Sequence, residues 1–396
     1  MYPLPMNKEI VPSHRATQVS EYWFSRKLKE IAALNAQGFD IISLGIGGPD
    51  LPPPASAVEA AVACLERPDS HSYQMTTGMP QLRKAFARWY KRHYGVELDA
   101  DREILPLIGS KEGVLNVAMA FVNEGDGVLV PNPGYPTYTS ASRLAGGEIF
   151  YYDLDPQRGG MPDFEVLKEL PLDKIKLMWV NYPHMPTGTP ASLEVYKRLV
   201  QFGRENGILI VNDNPYSFIR NNNPLSILNI PGAMDVALEM NSLSKCLNMA
   251  GWRVGLLAGR SEFLQYVLRV KSNIDSGQPR AIMEGAIAAL DSERDWYDTL
   301  NAEYYRREVV AGRIMDALGC TYAKGQQGLF LWGRIPDSAV CGEAFADEVL
   351  DSARVFITPG FIFGSRGDRY IRISLCAKVE MLEAALQRIL SSKSNI

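Results

Sequence analysis

What the sequence lacks narrows it first. Its five cysteines, Cys64, Cys246, Cys320, Cys341 and Cys376, are odd in number and form no close pairs. That argues against a disulfide framework and a zinc site, and fits a reducing compartment. The four histidines are equally dispersed. Basic residues are not in excess: 41 Lys and Arg stand against 45 Asp and Glu, a net charge of −4, which gives no electrostatic footprint for nucleic acid. No apolar run approaches membrane-spanning length, and residues 1–5 read unlike a signal peptide. Internal repeats and low-complexity tracts are missing too. The expectation is a cytoplasmic protein that engages neither nucleic acid nor membrane. What remains, 396 residues with 46% hydrophobic and 22% charged, is ordinary for a globular enzyme and long enough for two or three domains.

Residues 21–37 carry apolar side chains at helical spacing and end at Gly38. From about 100 to 260 strands and helices alternate. Strand patterns at 104–108, 127–130, 148–152, 175–180 and 208–211 are separated by helical ones that include 136–144 and 193–205. Alternation of this kind predicts a largely parallel sheet with helices on both faces, and ligands of such sheets lie at the carboxyl ends of the strands. A long charged helix over 293–318 leads to strand candidates at 328–332, 355–357 and 370–375, accompanied by helices over 342–350 and 379–390. This is the pattern of a second, smaller α/β domain.

The most informative stretch is Asn241-Ser242-Leu243-Ser244-Lys245-Cys246 with Gly251-Trp252-Arg253-Val254-Gly255 after it. Strand patterns at 234–240 and 254–258 flank it, so Lys245 falls between sheet strands. Burying a lysine disfavours its charged form, and a buried amine suits a Schiff base with a carbonyl. A solvated turn is the bland alternative. Ser242-Leu243-Ser244-Lys245 also matches the Ser-x-x-Lys of penicillin-binding acyl-transfer enzymes, but their Lys-Thr-Gly has no counterpart here.

The segment resembles the pyridoxal phosphate lysine segment of fold type I aminotransferases of class I/II, the aspartate, alanine and LL-diaminopimelate aminotransferases among them. The resemblance implies an α/β fold with a large domain over 46–292 and a small domain built from 1–45 and 293–396. It also implies that Lys245 carries pyridoxal 5′-phosphate, with Ser242, Ser244 and Arg253 at its phosphate. Other segments fall in family order. Gly109-Ser110-Lys111 opens a helix after the first sheet strand, where free amides bind phosphate; an ordinary strand-to-helix turn reads the same way. Tyr135, held between prolines, would cover one face of the pyridine ring, unless it is structural. Asp213 ends an apolar strand, where a carboxylate is expensive unless it faces a cation. The protonated pyridine nitrogen would be that cation, and Tyr216 would donate to the ring phenolate oxygen.

Gly45-Ile46-Gly47-Gly48-Pro49-Asp50 is not a dinucleotide fingerprint, because the third glycine is missing. It resembles the family's first active-site loop, with the Gly47 amide at the substrate carboxylate; a simple turn is the alternative. In Tyr370-Ile371-Arg372-Ile373-Ser374-Leu375 the three aliphatic residues share one face and Arg372 the other. By resemblance Arg372 grips the substrate α-carboxylate in a bidentate fork; an exposed strand arginine is the commoner thing. Tyr73 resembles the tyrosine that reaches the neighbouring subunit's phosphate, which implies a homodimer with a shared site. Arg280 lies in a similar cross-subunit region. One position departs from the family: Met185 stands where relatives carry an asparagine donor to the phenolate oxygen, and Asn181 or His184 is left to compensate. Seven matches in order imply an aminotransferase acting on an L-amino acid and a 2-oxo acid. A lyase or decarboxylase on the same fold, and a cofactor-binding module without turnover, are the alternatives.

Overall fold

A computed structural model describes residues 10–154 and 159–393. Residues 1–9 carry the leader reading and the start of the expected small domain, and lie outside the described residues. In chain order the strands are β1 (Ile42–Ser43), β2 (Ile104–Leu107), β3 (Gly127–Asn132), β4 (Glu148–Asp153), β5 (Ile175–Val180), β6 (Leu209–Asp213), β7 (Ala237–Ser242), β8 (Gly255–Gly259), β9 (Phe330–Arg334), β10 (Val355–Phe356), β11 (Thr358–Pro359) and β12 (Tyr370–Ser374). Several boundaries differ from the sequence reading by a few residues, and at two strand starts a glycine is the cause. The run expected to start a strand at 234 begins at Ala237, because Gly232 at φ 81° turns the chain into a short 3₁₀ segment, Ala233–Asp235. The strand expected from 328 begins at Phe330, because Gly328 at φ 84° is not extended.

Seven strands form the main sheet in the order β2-β8-β7-β6-β5-β3-β4. Neighbours pair in parallel except β8, which runs against both β7 and β2. Side chains on a strand alternate between faces, and the sheet uses both. Val128, Val130, Leu177, Trp179, Val211 and Met240 belong to one hydrophobic core, while Leu129, Met178, Val180 and Ile210 belong to the other. Helices cover each side, so the central strands are apolar almost throughout.

The site follows from this connectivity. Parallel β3, β5, β6 and β7 deliver Asn132, Asn181, Asp213 and Ser242 to one edge. Because β8 is antiparallel, its first residue Gly255 pairs with Ser242 on one side and Leu107 on the other. The segment before β8, with Arg253, therefore meets the segment after β2, with Gly109 and Ser110.

The remaining strands make two smaller sheets. β12 pairs antiparallel with β11 and β9, and β1 pairs in parallel with β10. The helix Trp23–Ala36 leans on the same region, with Trp23 stacked on Phe356 at 6.4 Å.

Candidate active site

The carboxyl edge of the main sheet and the start of β12 enclose a cavity of about 570 Å³. Every site residue expected from the sequence lines it except Tyr73.

Lys245 sits in a one-turn helix, Leu243–Cys246, capped by the Ser242 hydroxyl. Its Nζ donates to the Gly47 carbonyl at 2.7 Å, and burial lowers its pKa. Ser242 Oγ donates to Ser244 Oγ at 2.9 Å. The lysine and serine are thus engaged elsewhere, and the arrangement is not that of a lysine-activated serine nucleophile.

Asp213 is buried at the end of β6. Its Oδ2 accepts from the Tyr138 hydroxyl at 2.9 Å, while Oδ1 is buried without a partner. Burial pushes its pKa up to about 7, against the opposing effects of the Tyr138 hydrogen bond and the Lys245 charge. A buried carboxylate with one oxygen unsatisfied calls for a donor or a cation, and a pyridinium N–H supplies both. Tyr138 was not foreseen. It lies three residues beyond Tyr135, one helical turn on the same face, and that spacing is the signal that could have found it. Its ring stacks on Trp179 at 5.3 Å with planes 6° apart.

The phosphate end is built on close approach. Gly109, at φ 76°, occupies the cap position of the helix Ser110–Phe121, whose first amides no side chain caps. Ser110 is thus the first helical residue rather than the cap. A Cβ on Gly109 would collide with Nη2 of Arg253, so only glycine lets the guanidinium lie against the helix start. Arg253 itself is held left-handed at φ 56°, a strained conformation for an arginine, with Nη1 on the Ala250 carbonyl at 2.9 Å. Lys111 lies over the Tyr22 ring at 4.4 Å, its pKa lowered by burial and by Arg253. Two cations and uncapped amides suit a phosphate, and with Asp213 at the far end the donor set fits pyridoxal phosphate.

Arg372 is buried, not exposed. Its guanidinium lies 3.8 Å from the Phe330 ring centre, 4.6 Å from Phe363 and 5.4 Å from Phe24. Nη2 donates to the Gly45 carbonyl at 2.9 Å, Nε has no partner, and burial lowers the pKa to about 10. The glycine loop is fastened to the same strand, since Ser374 Oγ donates to the Ile46 carbonyl at 2.7 Å.

Met185 lines the cavity and its sulfur lies 3.4 Å from Arg372 Nη1. The two suggested substitute donors differ in position: Asn181 lines the cavity and His184 does not. Asn181 donates to the Asp213 carbonyl and accepts from the Met185 amide at 2.8 Å. His184 is buried with Nδ1 on Thr187 Oγ1 at 2.8 Å and does not line the cavity. Tyr135 stands edge-on to Tyr138 at 5.5 Å, and Tyr216 edge-on to Phe330 at 6.0 Å. Tyr73 is 92% exposed and away from its own chain's cavity. Arg280 is paired with Asp69 at 2.9 Å and Glu284 at 3.5 Å, also outside it.

The profile of aminotransferase class I and II matches residues 40–389. The LL-diaminopimelate aminotransferase of Dehalococcoides mccartyi is 40% identical over 387 residues, covering 96% of this chain and 99% of its own. That of Aquifex aeolicus is 38% identical over 383 residues, covering 96% and 99%. Among solved structures, substrate-bound BacF from Bacillus subtilis superposes with a TM-score of 0.91 at 34% identity, over 97% of this chain and 98% of that one. A single mutant of Thermus thermophilus aspartate aminotransferase superposes with a TM-score of 0.89 at 25% identity, over 97% and 100%. Similarity that runs through nearly the whole molecule leaves no large segment to another assignment: the chain belongs to the class I and II aminotransferases, which use pyridoxal phosphate to exchange an amino group between an amino acid and a 2-oxo acid.

Proposed function

We propose that the cavity is the transamination site and that its residues divide the work as follows. Lys245 holds the cofactor covalently through Nζ. Ser110, Lys111, Ser242, Ser244 and Arg253 hold its phosphate, and Tyr135 packs on its ring. Asp213 keeps the ring nitrogen protonated, and Tyr216 donates to the phenolate oxygen. Bound pyridoxal phosphate supplies an electron sink for the pair left on the substrate α-carbon. Arg372 and the Gly47 amide orient the substrate α-carboxylate. The free Lys245 amine would take the proton from the substrate α-carbon as general base. Its depressed pKa supports this, because a neutral amine is needed.

The observation that carries the assignment is the buried, unpartnered Oδ1 of Asp213 at the same cavity as Lys245. Met185 takes a place beside Arg372 and offers the phenolate oxygen no donor, which leaves that role to Tyr216 and the remaining amide hydrogen of Asn181. The protein works as a cytoplasmic homodimer, with a large domain over 46–292 and a small one from 1–45 and 293–396. Tyr73, exposed in the single chain, reaches the partner's phosphate. Curated relatives named LL-diaminopimelate aminotransferases make diaminopimelate one donor to try among the amino acids.

A single-turnover assay tests the reading. Holoenzyme mixed with an amino donor and no acceptor should release one equivalent of 2-oxo acid, and Lys245→Ala should release none. Stoichiometric loss of carbon dioxide or ammonia instead would favour a decarboxylase or lyase and overturn it.

A further inference from the structure

One part of the cavity lining is apolar. The helix Trp23–Ala36 starts at the cavity, and Phe24, Ser25 and Leu28, on one face by their spacing, line it together with Tyr22. Ile46 from the glycine loop and Phe330 and Phe363 beside Arg372 complete the wall. Phe24 and Phe363 lie 6.4 Å apart, centre to centre. Among the described residues the basic groups lining the cavity are Lys111, Lys245, Arg253 and Arg372. All four are committed in the reading above, Lys111, Lys245 and Arg253 to the cofactor and Arg372 to the α-carboxylate. Lys111 sits on the Tyr22 ring toward Arg253.

We infer, building on that reading, that the donor is an amino acid with an aromatic or bulky apolar side chain, seated against Tyr22, Phe24, Leu28 and Ile46. A second carboxylate on the donor would meet apolar side chains there, with no uncommitted cation among this chain's described lining residues to pair it. This sets the chain apart from relatives whose name specifies a diamino dicarboxylic acid.

Unreactive carboxylates test the side-chain subsite without turnover. The dissociation constants of 3-phenylpropanoate and glutarate are measured on the holoenzyme by calorimetry, alongside kcat/KM for phenylalanine, leucine, glutamate and diaminopimelate. Burying a phenyl group should favour 3-phenylpropanoate about ten-fold or more, and the apolar donors should lead in kcat/KM. Leu28 is 42% exposed at the rim, so Leu28→Arg leaves the core alone. It should reverse the preference toward glutarate; an unchanged ratio would remove Leu28 from the subsite and overturn the placement. Glutarate binding as tightly as 3-phenylpropanoate would overturn the inference. Turnover that favours dicarboxylic donors sinks this inference alone. If no donor of either class yields an oxo acid, it is the transamination reading that fails.

Discussion

Tyr138 donates its hydroxyl to one oxygen of Asp213 and leaves the other buried and bare. The tyrosine fixes the carboxyl plane and opposes the rise in its pKa, while the second oxygen stays available at the cavity. Two variants separate these effects. Asp213→Asn should bind cofactor and lose about 10- to 100-fold in kcat, since a hydrogen bond to a charged group is worth about 1.5–3 kcal/mol. Tyr138→Phe should keep most activity at high pH and lose it as pH falls, because removing the donor raises the Asp213 pKa further. A pH–rate profile identical to that of the parent would exclude the role given to Tyr138.

The same carboxyl group makes the cofactor-free protein pH-sensitive. Its folded pKa of about 7 lies above its ordinary value of 3.8, so between those values the folded state binds more protons than the unfolded one. Stability should therefore fall as pH rises from about 4 to 7, by on the order of a few kcal/mol at most. Thermal melting of apoprotein across this range, with Asp213→Asn as reference, checks it: the variant should melt with a shallower pH dependence.

Gly109→Ala should weaken cofactor binding more than it weakens the fold. The added Cβ displaces the end of the Arg253 side chain, and the left-handed backbone at φ 76° adds strain. A cofactor dissociation constant raised about 10-fold or more, with intact cooperative unfolding, is the expected result.

Arg372→Lys should raise KM and lower kcat together, with kcat/KM down about 10- to 100-fold, because an ammonium cannot reproduce the fork and leaves the ring faces of Phe330 and Phe363 unfilled. Steady-state kinetics with the best donor decide it; an unchanged kcat/KM would take Arg372 out of the site.

The shared site is tested by mixing two defective chains. Lys245→Ala supplies a sound Tyr73, and Tyr73→Phe with Arg253→Ala supplies a sound lysine, but Lys245 and Arg253 line the same chain's cavity, so this mixed dimer holds no complete site whichever chain Tyr73 serves. Pairing Lys245→Ala with Tyr73→Phe alone leaves one complete site when Tyr73 crosses between chains, because the lysine of one chain then meets the tyrosine of the other, and no complete site when Tyr73 acts on its own chain's cofactor. The activity of that heterodimer, purified through two tags, therefore reads out which chain Tyr73 serves.

The sequence by itself determined the main-sheet strands and the identities of most residues at the cavity. Apolar strand runs are local patterns, and Asp213, Ser242 and the Gly109 turn end or follow them at positions that parallel pairing must bring to one edge. Lys245, Arg253 and Arg372 were legible because their residue types fit a definite chemistry in a recognisable order. Tertiary structure decided the rest, because partners distant in sequence leave no local trace. The antiparallel run of β8 brings Arg253 onto Gly109, a contact fixed by the pairing of Gly255 with Ser242 and Leu107. Packing of helix Pro136–Leu144 on Trp179 sets Tyr138 on Asp213. Three phenylalanines from separate elements enclose Arg372, turning what could have been a solvated strand arginine into a buried one. Each depends on which surfaces meet once the sheet is assembled, and burial, which shifts the pKa values of Asp213, Lys245 and Arg372, exists only then.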